Sequence, residues 1–278
     1  MNKPNAAQLE QWNGRVGQKW ARLQDKTDLM LNDITDHLMP FVCARPGESV
    51  LDIGCGCGST TFRLAMAVQP NGSVAGIDIS GPMLAVARAR SQAMNADIPF
   101  LESDASTHDF QPVFDLVFSR FGVMFFDDPV AAFRNIRRAL TPKGRLAFVC
   151  WRDFKDNPWA FAPYMAAKPL LPETPPADPH APGPFAFADA DRLRKILGDA
   201  GFNNIRIEKL DTTSSMGANA DDAADEIMNI GPLSRAANEL PEEARVKIRA
   251  LAKESLAKYQ TPAGIAPPAA CWLVGATL

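Results

Sequence analysis

Three glycines, Gly54, Gly56 and Gly58, follow the apolar run Ser49-Val50-Leu51-Asp52-Ile53 and precede Ser59-Thr60-Thr61, a pattern that reads as strand, tight loop and helix start. Glycine at such a place lets the backbone turn sharply and lets a ligand approach the main-chain amides of the helix start. Three acids accompany the loop: Asp52 just before it, giving Asp-x-Gly-x-Gly-x-Gly, Asp78 at the end of the next apolar run, and Asp104 after the third. Asp78 follows the loop by about twenty residues, the spacing of a ribose-binding acid. Each feature alone has a local explanation, as a tight turn, a buried helix-capping acid or a turn residue before Ser80-Gly81-Pro82. Together they put negative charge at one rim of a sheet, which is costly without a ligand that donates hydrogen bonds. A phosphate loop would close in Lys-Ser or Lys-Thr, and Gly58-Ser59-Thr60-Thr61 has no lysine. A GxGxxG dinucleotide fingerprint would place its last glycine one residue later, where Ser59 stands.

Other reactive groups are sparse. Five cysteines (Cys43, Cys55, Cys57, Cys150, Cys271) form no even disulfide framework, and the one close pair, Cys55 and Cys57, lacks a second pair or a nearby histidine at zinc spacing, so reduced thiols and no metal are expected. Of three histidines, His108 lies nearest the rim and is the candidate base, with a solvated loop position as its alternative; His37 and His180 lie elsewhere, and Tyr164 and Cys150 are weaker candidates. Arg120, just after a strand, is a permanent cation suited to a substrate carboxylate or phosphate, or to an ion pair with Asp104, Asp127 or Asp128. Asp127-Asp128-Pro129 looks superficially like a metal-binding pair but reads better as a helix start at Val130. Tyr164 and Lys168 have the Tyr-x-x-x-Lys spacing of a short-chain oxidoreductase, in a Pro-rich stretch that does not read as helix.

The elements that must position these groups alternate. Apolar strands at 49–53, 73–78, 98–101, 114–118 and 145–151 take turns with helices at 59–68, 82–95 and 130–140, and the strands do not alternate polar and nonpolar. That pattern is a doubly wound, mostly parallel α/β sheet covered on both faces. Before it, Leu9, Trp12, Val16, Trp20, Leu23, Leu29, Leu31, Ile34 and Leu38 predict helix from Ala6 to Met39, broken at Gly14 and Gly17. After it come a Pro- and aromatic-rich loop from Phe154 to Phe187, a helix 189–200, a strand 205–210, a strandless helical segment (Asp221–Ile230 and Pro241–Tyr259), and a late strand 271–276. The expected organisation is therefore a helical lid (1–45), a core (46–151), a loop (152–188), a core helix and strand (189–210), a helical cap insertion (211–268) and a final strand (269–278). The chain has 278 residues with 29 Lys plus Arg against 32 Asp plus Glu, a net charge of −3 that speaks against a nucleic-acid surface. No apolar run approaches the roughly 18–20 residues of a membrane span, and Met1-Asn2-Lys3 opens no signal peptide, so a cytoplasmic address is expected.

Val50 to Val149 resembles the class I S-adenosylmethionine-dependent methyltransferases, specifically their small-molecule, ubiquinone/menaquinone-type branch. The resemblance implies a Rossmann-like seven-stranded sheet with N-terminal helices and helical cap insertions, and S-adenosyl-L-methionine as cofactor, leaving S-adenosyl-L-homocysteine. Val50 to Gly58 is similar to the family's first motif, whose backbone packs on the methionine part of the cofactor; Asp78 would accept both ribose hydroxyls. Ile79 and Met83 would flank the adenine, Asp104-Ala105 would read its amino group, and the backbone near Ser119 would face the methionine ammonium. Trp20 is the candidate lid contact, with Trp12 beside it. Phe121, Met124 and Phe125 would wall the acceptor, and Phe185 belongs to a specificity cap. Methyl transfer is an in-line displacement, so positioning and exclusion of water are the main devices expected. The acceptor is expected to be a small molecule, anionic or aromatic, and a homodimer is compatible with the insertions. An NAD(P)-dependent oxidoreductase and a non-catalytic S-adenosylmethionine-binding protein stay open as alternatives.

Overall fold

The computed structural model describes residues 4–173 and 178–278. Met1-Asn2-Lys3 and part of the predicted 152–188 loop lie outside the described residues.

Four short helices come first: α1 (Ala6–Asn13), α2 (Arg15–Arg22), α3 (Gln24–Met30) and α4 (Asn32–Val42). The predicted break at Gly14 is present, but Gly17 sits inside α2, and two further breaks fall at Leu23 and Leu31. Ile34, Leu38 and Val42 recur on one side of α4 and are buried. The core then alternates through β1 (Ser49–Ile53), α5 (Ser59–Ala67), β2 (Ser73–Asp78), α6 (Gly81–Ala93), β3 (Phe100–Glu102), β4 (Phe114–Arg120), α7 (Pro129–Arg137) and β5 (Leu140–Trp151). Helix starts are chemically marked: Ser80 accepts from the Met83 amide at α6, and Asp128, followed by Pro129, accepts from the Ala131 amide at α7. Asp127-Asp128-Pro129 thus opens a helix, as the sequence predicts.

Beyond β5 the chain departs from expectation. Within the stretch read as loop lies α8 (Pro158–Ala167), and Tyr164 is on it. Pro158 occupies the first turn, where a missing N–H costs nothing, and the helix is apolar nearly all round, so it shows no amphipathic period to read. Next come α9 (Ala190–Asp199), β6 (Asn203–Thr213), α10 (Ala220–Ile227), α11 (Gly231–Ala237) and α12 (Glu242–Ala257). A small hairpin, β7 (Gln260–Thr261) with β8 (Gly264–Ile265), interrupts the segment expected to be strandless, and β9 (Pro268–Thr277) ends the chain.

The main sheet has seven strands in the order β3-β2-β1-β4-β5-β9-β6. Pairing is parallel from β3 to β5, and β9 runs antiparallel between β5 and β6. This is the doubly wound, mostly parallel α/β architecture the sequence predicts. β1 is bonded to β2 on one side and β4 on the other, so the order reverses there, and the crevice beyond its carboxyl end is where such sheets bind ligands. Fully buried Phe118, Phe133 and Phe148 fill the core beneath. Helices α8, α10, α11 and α12 pack into one layer, while α2 lies on α6. No helix among the described residues is long and apolar enough to cross a membrane.

Candidate active site

The crevice beyond β1 opens into a cavity of about 330 Å³, roofed by α1 to α3 and flanked by α11. That volume lies in the range of small-ligand sites. Its floor is the glycine loop. Gly54 has a φ of +67°, and a Cβ there would come within 2.7 Å of the Gly122 Cα, so both the turn and the approach of the neighbouring loop require glycine. The loop amide of Gly56 donates to Asp78 Oδ2 at 2.8 Å, and the Ser80 amide donates to Asp78 Oδ1 at 2.8 Å. Two backbone amides therefore aim a half-buried carboxylate at the cavity and leave it acceptor sites for a ligand's donors. Burial raises Asp78 above the ordinary carboxylate range, against the pull of these amides.

Asp104 also faces the cavity, and here the lid intervenes. The Asn5 Nδ2 donates to Asp104 Oδ2 at 2.9 Å and to Oδ1 at 3.1 Å, while the Asn5 backbone amide donates to Asp127 Oδ2 at 2.7 Å. The Asp127 amide returns a bond to Asn5 Oδ1 at 2.8 Å. Further along the lid, Asn13 Nδ2 donates to the Ile79 carbonyl and the Ser80 hydroxyl donates to the Trp12 carbonyl. Gly17 permits this seating: a Cβ there would fall 1.7 Å from the Trp12 carbonyl oxygen.

Twelve of the sequence-derived residues line this one cavity: Trp20, Gly54, Gly56, Asp78, Ile79, Met83, Asp104, Ala105, Arg120, Phe121, Met124 and Phe125. Trp20 packs edge-on to Trp12 at 5.8 Å, and Trp12 to Phe125 at 5.4 Å. Phe121, held at a φ of +64°, stacks on Trp151 at 4.3 Å. A non-glycine residue in that conformation is strained, and the stack helps hold it.

The remaining candidates are not among the lining residues. Asp52 is fully buried behind the loop, where Oδ2 accepts from the Thr60 and Thr61 hydroxyls at 2.8 and 2.7 Å and Oδ1 has no partner. Burial is the main reason its carboxyl is raised to about 6. It is the buried acid tying β1 to α5, one of the local readings of its sequence position, because neighbouring strand residues face opposite ways and Ile53 takes the cavity side. Gly58 caps α5 against Phe62 and Phe100. The Ser119 hydroxyl donates to the Ile53 carbonyl and accepts from the Gly122 amide, cross-linking β4 to β1 in the interior. His108 turns its Nδ1 to the Ser103 hydroxyl at 3.1 Å and its ring to Phe110. Phe185 packs on Phe154, and Pro184 takes the cavity side. Tyr164 also packs on Phe154. Among the described residues no histidine or tyrosine lines the cavity, so no imidazole or phenol base stands there. Cys55 and Cys57 do line it, but burial pushes Cys57 up to about 12 and Cys55 well above its ordinary value, so neither is a thiolate.

Arg120 has a partner other than those expected. Its guanidinium donates to the Thr35 hydroxyl at 2.9 Å and lies 3.8 Å from Asp28 of α3, a residue in no recognisable motif. Asp28 also holds Arg90 at 3.2 Å. Four more lining residues escaped the sequence reading: Gln8, buried with its Oε1 unpaired, and the cations Arg15, Lys19 and Arg235. Unremarkable helix-surface residues in sequence, they acquire meaning only where α1, α2 and α11 border one cavity.

Comparison with known proteins accords with this geometry. Residues 50–144 match a sequence family described as a methyltransferase domain. A demethylmenaquinone methyltransferase of Staphylococcus aureus is 26% identical over 218 residues, covering 74% of this chain and 89% of the relative. Among solved structures, phosphoethanolamine N-methyltransferase 2 of Haemonchus contortus, in complex with S-adenosyl-L-methionine, superposes with a TM-score of 0.60 at 19% identity. That match covers 99% of this chain but only 60% of the nematode protein, so the chain spans about three fifths of its length. An S-adenosylmethionine-dependent methyltransferase of Aquifex aeolicus gives a TM-score of 0.51 at 17% identity, covering 71% of this chain and 92% of its own. At these identities the structural matches establish the fold.

Proposed function

We propose that this chain, whose residues 50–144 match a methyltransferase domain, is a class I enzyme that transfers a methyl group from S-adenosylmethionine to a small-molecule acceptor held under the N-terminal helices. The observation that carries the reading is the Asp78 carboxylate, aimed into the switch-point cavity by the Gly56 and Ser80 amides. A carboxylate so placed has the acceptor capacity a ribose diol needs, and the glycine loop beside it offers backbone without side chains. When bound, the cofactor supplies a methyl group on a positively charged sulfur.

The chain's own residues then have definable tasks. Asp78 fixes the ribose end, Ile79, Met83 and Ala105 bound the flat apolar part, and Gly54 and Gly56 carry the remainder along the loop. Asp104 is the acceptor for the adenine amino group, in exchange for the Asn5 amide that it holds here. Trp12, Trp20 and Phe125 exclude water above the cavity and present aromatic faces and edges to a cation. Phe121, Met124 and Trp151 give the acceptor an apolar seat. No imidazole or phenol lines the cavity among the described residues, and positioning of the acceptor against the methyl group is the main source of rate. The S. aureus relative's demethylmenaquinone and the nematode enzyme's phosphoethanolamine, as their names state, are both small molecules, and that supports the acceptor class.

The oxidoreductase alternative loses its main support, since Tyr164 packs on Phe154 away from the cavity although it is helical. Calorimetric titration with S-adenosylhomocysteine and with NAD tests the reading. Binding of the first and not the second is expected, with a strong loss in Asp78→Ala and an unchanged circular dichroism spectrum. NAD binding without S-adenosylhomocysteine binding would overturn it, and turnover across a panel of amines, thiols, phenols and carboxylates separates an enzyme from a binder.

A further inference from the structure

The cavity carries charges of both signs. Its acids, Asp28, Asp78 and Asp104, come from α3 and from the strand-end loops over the crevice, and all three are engaged: Asp28 with Arg90 and Arg120, Asp78 with two amides, Asp104 with Asn5. Arg120, the cation that the sequence pointed to for an anionic acceptor, is occupied by Asp28 and Thr35. The other lining cations are Arg15 and Lys19 on α2 and Arg235 on α11. Arg15 and Lys19 are one helical turn apart and so share a face of α2, while Arg235 comes from α11 of the cap layer.

None of these three side chains makes an ion pair or a side-chain hydrogen bond with any described residue. The α2 sequence, Arg-Val-Gly-Gln-Lys-Trp-Ala-Arg, contains no acid to offset them. Like charges gathered around Lys19 are unfavourable to the free protein: burial first, and then Arg245 and Arg22, pull its ammonium below the ordinary lysine range. Unpartnered cations bordering a cavity whose acids are already engaged are what an anion would stabilise, through charge-assisted bonds that no described protein group supplies.

We propose that Arg15, Lys19 and Arg235 form the receptor for the anionic group of the acceptor, so that the substrates are small molecules with an apolar or aromatic body and a carboxylate or phosphate. The inference rests on the methyl-transfer reading and adds a substrate class to it. A cationic methyl donor then lies against the acids of the cavity and an anionic acceptor against these cations, and the two charges orient the acceptor with its apolar body between the donor and the cations. Arg235 brings the cap insertion into the site, giving α11 a part in substrate selection.

The test uses the 278-residue chain saturated with S-adenosylhomocysteine and titrated with phenyl phosphate, benzoate and the uncharged benzyl alcohol. Both anions are expected to bind roughly tenfold or more tightly than the alcohol. In Arg15→Gln/Lys19→Gln/Arg235→Gln that preference falls to about twofold or less, while S-adenosylhomocysteine affinity stays within about twofold and shows that the variant is folded. The single variant Arg235→Gln, on the cap and outside the lid, reads the same loss in part should the triple variant not fold. Equal binding of the anions and the alcohol, or a preference that survives in Arg235→Gln and in the triple variant, overturns the proposal with the methyl-transfer reading intact. No binding of S-adenosylhomocysteine to the wild-type protein overturns that reading and the proposal with it.

Discussion

Asp52→Asn isolates the consequence of burying a carboxylate behind the glycine loop. Asp52 is 0% exposed, and only its Oδ2 has partners, the Thr60 and Thr61 hydroxyls, while Oδ1 has none. Burial outweighs these hydroxyls and the attraction of Arg120, and the carboxyl is raised from 3.8 to about 6. Because the folded-state value lies above the unfolded one, the folded protein holds the proton more tightly, so Asp52's contribution to stability is fully present below pH 3.8 and is lost as pH rises through about 6. The gap of roughly two units at about 1.4 kcal/mol each makes that loss about 3 kcal/mol in the cofactor-free protein. Asparagine keeps the shape and an acceptor for the two threonines but does not titrate; its amide leaves an unpaired donor in place of Oδ1, a cost that does not vary with pH. Urea unfolding of both proteins between pH 4 and 8 therefore separates the two effects. The stability of Asp52→Asn relative to wild type should climb by about 2.5 kcal/mol from pH 4 to near pH 7, the rest of the change lying below pH 4, and then level off. A difference that is flat across this range, or that falls as pH rises, would refute the assignment of a desolvated carboxylate to this position.

Gly17→Ala should unseat α2 from the Ser80 turn, because its Cβ would overlap the Trp12 carbonyl oxygen at 1.7 Å; a loss of S-adenosylhomocysteine affinity with faster hydrogen exchange over residues 6–22 is the expected outcome. Asn5→Ala removes the amide bonds to Asp104 and Ser106, easing local opening of α1 by about 1–3 kcal/mol, read as faster proteolysis near the amino terminus without a change in global melting. His108→Ala and Tyr164→Phe should each retain most methyl-transfer activity, since neither side chain lines the cavity, and a loss beyond about a hundredfold in either would reinstate it as a base. Iodoacetamide on the native protein should label Cys43 ahead of Cys55, Cys57, Cys150 and Cys271, which are buried; mass spectrometry of the labelled peptides checks the order.

Elements with a single dominant local signal were legible in the sequence, and β1 and β2 begin and end at Ser49, Ile53, Ser73 and Asp78 as predicted. Breaks without glycine or proline were not. At Leu23 and Leu31 the helix ends in a backbone turn that leucine adopts without strain, so nothing in the residue types announces it. Helix α8 was hidden by the opposite fault, prolines at 158 and 163 and an apolar surface on nearly every side, which reads as loop until β9 and α12 are seen to cover it. In the site, motif adjacency and orientation came apart. Asp78 faces the cavity, whereas Asp52, Gly58 and Ser119 belong to the same motifs and face the interior. The residues wholly missed, Asp28, Arg15, Lys19 and Arg235, owe their position to the docking of the lid and cap, a long-range event with no local trace.

The lid's contacts differ in kind from those of the core, and the difference bears on how a ligand enters. Between the lid and the crevice rim the bonds are polar: Asn5 to Asp104 and Asp127, Asn13 to Ile79, Ser80 to Trp12, and Asp28 to Arg90 and Arg120. Water replaces each such partner at a net cost of about 1 kcal/mol for a hydrogen bond and less for a solvated ion pair. Arg120 is the exception that sets the order of events, because it is mostly buried and its charge is matched by Asp28 on α3. If α3 left while Arg120 stayed buried, only Asp52 behind the glycine loop would be left to offset its charge in a low-dielectric wall. Withdrawing Asp28 is therefore least costly when it hydrates Arg120 at the same time, which ties departure of α3 to exposure of that wall. The apolar contribution that opposes opening is concentrated in Trp12 and Trp20 against Phe125, at the roof of the cavity. A ligand that fills the space beneath those rings adds contacts only the closed arrangement can make, and so draws the equilibrium toward closure by its own binding.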